Sequence, residues 1–81
     1  MTAEFSVYQY FVDGSCERLA HYVEIEEALR LLKHYTTSVG ARIGTTRRVI
    51  MTDGGDCLAF EWLYGQGVVY PPGLQLRPDL N

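Results

Sequence analysis

A chain of 81 residues with seven Lys or Arg against ten Asp or Glu, for a formal charge of −3, has room for one domain and for no second module. A domain of this size buries only about 60–68% of the surface its unfolded chain exposes, so its stability is thin unless a disulfide, a metal or a second subunit adds to it. The acidic balance, with Arg47 and Arg48 as the one adjacent pair of bases, argues against a surface built to neutralise phosphates, and a nucleic-acid partner is not expected.

No apolar run approaches the ~20 residues of a membrane span, and no charged-then-apolar signal segment opens the chain. The expectation is a cytoplasmic protein with no membrane partner, in which Cys16 and Cys57 are free thiols. All three prolines gather in YPPGLQLRPDLN. The single domain is therefore expected over residues 1–70, followed by a proline-rich tail over 71–81.

Residues 4–12, EFSVYQYFV, are rich in β-branched and aromatic side chains, DGSCE follows as a turn, and RLAHYVEI reads as a second strand. An odd loop of residues 13–17 sorts the hairpin best, with Val12 opposite Arg18, Phe11 opposite Leu19 and Val7 opposite Val23. One face then carries Phe5, Val7, Phe11, Leu19 and Val23, with Gln9 and His21 opposed as its polar members. The other carries Tyr8, Tyr10, Val12, Ala20 and Tyr22.

In residues 25–39 the period changes. Ile25, Ala28, Leu29, Leu32, Tyr35 and Val39 fall at helical spacing. Glu24, Glu26 and Glu27 crowd the start and Lys33 and His34 lie toward the end, both in the sense that favours the helix dipole. Gly40 is the expected stop.

After ARIGTT comes the stretch RRVIMTDGGDCLAFEWLYG, which reads as a hairpin. A two-residue Gly54-Gly55 turn sets Asp53 against Asp56, Met51 against Leu58, Val49 against Phe60 and Arg47 against the Trp62 ring. On the reverse face Thr52 opposes Cys57, Ile50 opposes Ala59 and Arg48 opposes Glu61. The run GQGVVYPP offers a short fifth strand. The expected fold is α+β, a β-β-α-β-β chain whose antiparallel sheet has the order 2-1-3-4, with one helix packed on one face.

The residues that could carry chemistry are few. Asp53, Asp56 and Cys57 lack the spacing of a calcium loop and are read as turn residues, with no metal bound. His21 and His34 have no partner at ligand spacing, so no zinc pattern exists. Cys57, on the outer face near Asp53 and Asp56, is a poor thiolate, and the glycines of VGARIGTTRR follow a helix where phosphate-binding loops precede one. No catalytic residue, metal or cofactor is expected.

The outer face of the sheet draws more notice. Tyr8, Tyr10, Val12, Tyr22, Ile50 and Ala59, with Ala20 and Leu63, would form an exposed aromatic and aliphatic patch, the alternative being that the terminal strand and proline-rich tail fold back over it. Tyrosine is a residue of interfaces. The function expected is a non-catalytic binding or regulatory module that forms a homodimer through this patch and meets an unidentified protein partner. The rival is a small enzyme or small-molecule binder with an aromatic pocket between subunits, using His21, Tyr22 or Asp53 as its polar groups.

Overall fold

The computed structural model describes residues 3–72. Strand β1 (Phe5–Phe11) turns into β2 (Cys16–Val23), helix α1 (Ile25–Thr36) and a one-turn helix α2 (Val39–Ile43) follow, and β3 (Thr46–Thr52), β4 (Leu58–Leu63) and β5 (Gly67–Tyr70) complete the chain. The strands form one antiparallel sheet in the order β2-β1-β3-β4-β5. This is the expected α+β architecture and strand order, with the fifth strand present and one helix more than expected. From residue 73 on, the expected tail lies outside the described residues.

Helix α1 follows Glu24 at its N-cap, with Glu26 and Glu27 in its first turn and Lys33 and His34 in its last. Its inward stripe is Ile25, Ala28, Leu31, Leu32 and Tyr35. Leu29, expected inside, is exposed because it lies about 100° round the helix from Ala28. The helix also stops earlier than its apolar spacing suggests. Thr36 and Thr37 turn their hydroxyls back on the Leu32 and Lys33 carbonyls, each at 2.7 Å, and Ser38 caps a new helix by accepting the Ala41 N–H at 3.2 Å. Hydroxyl side chains that bond their own backbone compete with a continuing helix in this way. Gly40 is thus inside α2, Val39 is exposed, and the left-handed stop is Gly44 at φ 98.

Both long hairpins close with the same geometry, and neither as expected. In β1–β2 the Phe11 N–H donates to the Ser15 carbonyl at 2.9 Å and Gly14 sits at φ 89, so the loop is residues 12–14 and Tyr10 pairs with Cys16. The Asp13 carboxylate accepts the Ser15 N–H at 2.9 Å and its hydroxyl at 2.6 Å, which holds this shorter loop. In β3–β4 the Asp53 N–H donates to Cys57 at 2.9 Å, and the left-handed residue is Asp56 at φ 61 rather than either glycine. Asp53 Oδ1 accepts the N–H groups of Gly55 at 2.9 Å and Cys57 at 3.1 Å, the local bonding that lets aspartate govern a turn.

Most pairs consequently slide by an even number of residues, and most side chains keep their expected face. Val49 pairs with Trp62 and Met51 with Phe60. The exceptions are at irregularities, in β2 and beside Ala59 in β4. Tyr8 pairs with Arg18 but Val7 with Ala20, and this bulge turns Ala20 as well as Leu19 against the core. Gln9 does not meet His21; its Nε2 donates to Glu17 at 2.8 Å and its Oε1 accepts from the Thr46 hydroxyl at 3.0 Å.

The core is Val7, Ala28, Leu32, Val49, Met51 and Phe60, where α1 crosses β1 and β3. Phe5, Leu19, Val23 and Trp62 pack round it, whereas Phe11 is half-buried at the strand end. Arg47, expected on Trp62, stands over the Tyr64 ring, 5.1 Å from its centroid. Since α2 also leans on β3, with Gly40 against the Thr46 side chain that bonds Gln9 on the Val7 side of β1, both helices occupy one face of the sheet and the other carries none of the described elements.

Candidate functional site

Alternation along β1 sends Val7 inward and therefore Ser6, Tyr8 and Tyr10 outward. The register places their neighbours. Tyr8 lies between Arg18 and Ile50, Ile50 next meets Glu61, and Glu61 meets Tyr70, a row that crosses every strand. The next row is Cys16, Tyr10, Arg48 and Leu63.

Two contacts organise the middle of this face. Arg48 Nε donates to Glu61 Oε2 at 2.6 Å, and the Arg48 guanidinium stands 5.0 Å from the centroid of the Tyr10 ring. A cation over an aromatic face gains from the ring quadrupole, and more so where water is partly excluded. Burial raises the Tyr10 phenol above its ordinary pKa, the Cys16 thiol on the opposed strand adds to this, and Arg48 works against it.

Of the six residues expected to form the patch, Tyr8, Tyr10 and Ile50 are brought together here, with the two tyrosines half-buried and Ile50 buried. Tyr22 stands at the margin, where its N–H donates to Ser6 Oγ at 3.3 Å and its ring stacks on His21 with centroids 4.2 Å apart. Its backbone is at φ 56, a left-handed conformation that a bulky side chain adopts only under strain. Val12 does not belong to the face. It is in the β1–β2 loop, where its N–H donates to the Thr45 carbonyl at 3.0 Å. Ala59, at the irregularity between Met51 and Thr52 on the partner strand, packs against the buried cluster.

The expected pocket residues divide in the same way. His21 and Tyr22 touch each other, but Asp53 is two strands away in the β3–β4 turn, with Oδ1 committed to two backbone N–H groups. Cys16 and Cys57 are exposed and free, one on the outer face and one in that turn. Among the described residues no group of three His, Cys, Asp or Glu side chains stands where it could hold a metal ion, and no helix is long and apolar enough to cross a membrane.

Arg18, Arg48, Glu61 and Tyr70 complete the face; the expected registers set Arg18 opposite Val12 and Arg48 opposite Glu61 on this side, and Tyr70 is the addition. Arg18 is opposed to Tyr8, Arg48 and Glu61 lie two residues from Ile50 and Leu63, and Tyr70 is opposed to Glu61. Compared with known proteins, the chain matches no family model, no curated protein sequence and no solved structure.

Proposed function

We propose that this protein is a non-catalytic binding module that pairs with a second copy of itself through the outer sheet face and offers the remaining surface to another protein. The observation that carries this reading is the placement of both helices on one side, which leaves Tyr8, Tyr10, Arg48 and Glu61 on a sheet face that none of the described elements covers. Tyrosines present an apolar ring with a hydroxyl that tolerates water, the character of interface cores.

Charge supports a two-fold pairing. The centre of the face holds one Arg and one Glu already bonded to each other, so a copy rotated onto it meets balanced charge and not like charge. The molecule measures 35 × 33 × 20 Å, and its broad side exceeds the ~800 Å² per partner of a standard stable interface. The exposed thiols suit a reducing compartment such as the cytoplasm. A ligand pocket of His21, Tyr22 and Asp53 has less support, because β1 separates the first two from the third.

Sedimentation velocity tests the proposal. Tyr8→Glu places a charge in the row that crosses the sheet and should move as a single chain with its helical circular dichroism retained. A Tyr8→Glu protein that sediments as a dimer would refute the tyrosine face as the interface.

A further inference from the structure

A different part of the surface gathers where β1 ends and β3 begins. The Val12 N–H bonds the Thr45 carbonyl at 3.0 Å, tying the β1–β2 loop to the segment after α2. The Tyr64 ring, from the β4–β5 turn, lies so close to Gly44 that a Cβ there would meet it at 3.1 Å. Arg47 joins the two by covering that ring and donating from Nε to the Gly44 carbonyl at 2.6 Å. Three connections are thereby held together at one end of the sheet.

Four large apolar side chains at this end are left in water: Val12 is 59% exposed, Val39 63%, Ile43 67% and Tyr64 39%. Val39 and Ile43 are four apart on α2 and share one side of it. A single exposed valine needs no explanation, but several together mark a surface that meets something apolar.

The charges of the chain are also divided between its ends. Arg42 and Arg47 flank the four apolar residues, with Lys33 in the last turn of α1. The opposite end, where β2 enters α1 and β3 turns into β4, carries Glu4, Glu24, Glu26, Glu27, Asp53 and Asp56, against Arg30 alone, which is bonded to Glu27. An acidic protein thus has one end that an anionic plane attracts and one that it repels.

We infer that the Val12, Val39, Ile43 and Tyr64 end docks on an anionic lipid surface. Aliphatic side chains make no ion pair or hydrogen bond with nucleic-acid phosphates, and the chain lacks the clustered excess of Lys and Arg such a partner needs. Aliphatic groups with a tyrosine and arginines beside them are instead the composition of segments that rest in the headgroup boundary. Val39 and Ile43 enter that boundary, Tyr64 sits at its level, and Arg42 and Arg47 meet the lipid phosphates. Such a contact needs no spanning segment. Asp13, next to Val12, and Glu17, exposed one residue into β2, oppose it.

Co-sedimentation of the full chain with vesicles of phosphatidylserine and phosphatidylcholine in equal parts, against phosphatidylcholine alone, is the test. The protein should pellet with the first and remain in the supernatant with the second. Ile43→Glu, at an exposed position that leaves the fold intact, should weaken binding at least tenfold, with Val39→Glu as the second variant. Arg42→Gln should weaken it about fivefold, and Asp13→Asn should tighten it. Failure to pellet with the anionic vesicles would overturn the inference and leave this end to a protein partner. Equal binding to neutral vesicles, or unchanged binding of both glutamate variants, would also overturn it.

Discussion

Arg48 bonds Glu61 at 2.6 Å although neither is the other's direct partner across the strands, since Arg48 opposes Leu63 and Glu61 opposes Ile50. The pair is diagonal, and its reach is what brings the guanidinium over Tyr10 as well. In a single copy the two side chains are 37% and 20% exposed, and pairs in that setting contribute no more than about 1 kcal/mol to folding. Arg48→Gln should therefore lower the denaturant midpoint only slightly. If the face is an interface, the same substitution leaves Glu61 unpaired in a desolvated position and should weaken association by about 2 kcal/mol or more. Equilibrium sedimentation beside urea unfolding separates the two effects.

The hairpin glycines are not equivalent. Gly14 is held at φ 89, where a side chain costs on the order of 1–2 kcal/mol, and Gly14→Ala should lose that much stability. Gly55 is not among the positive-φ residues, and a Cβ there would meet only Asp53 Oδ1, at 3.6 Å. Gly55→Ala should stay within about 0.5 kcal/mol of the parent. A two-residue Gly-Gly turn would give the reverse result at Gly55, so urea titration of the two variants distinguishes the turns.

Tyr10 links stability to alkaline pH. Its phenol is raised in the folded state, chiefly by burial, so the protonated form is favoured on folding. That contribution is fully present below the unfolded value of about 10 and is lost as pH rises through the higher folded value. Stability should fall above about pH 10 more steeply in the parent than in Tyr10→Phe. Thermal melts across that range read the difference, and identical slopes would dissociate Tyr10 from the effect.

The sheet was legible because strand alternation survives errors in loop length. Neither expected turn is the observed one, yet an even slide keeps Val49, Met51 and Phe60 on the helix side, and Val7 stays there by alternation along β1 although its own pair slides by three. What was not legible depends on competition between neighbours. Asp53 outbids Gly54 and Gly55 for control of its turn through two side-chain bonds, and Thr36, Thr37 and Ser38 end one helix and begin another where apolar spacing alone runs on. The bulges of β2, which turn Ala20 inward and set Tyr22 at φ 56, have no signature in the alternation at all. Of the candidate face, Tyr8, Tyr10 and Ile50 followed from period two, whereas Val12 moved to the loop and Ala59 to the core because each sits where that period is interrupted.

The mass of the unmodified chain in solution bears most directly on the proposed self-association. Light scattering at micromolar concentration should give twice the 9.2 kDa of one chain. Under the same conditions Tyr10→Glu should fall to the single-chain mass while remaining folded, and Leu32→Glu, at a position with no exposed surface, should unfold instead. A parent protein that scatters as one chain at every concentration measured would contradict the account.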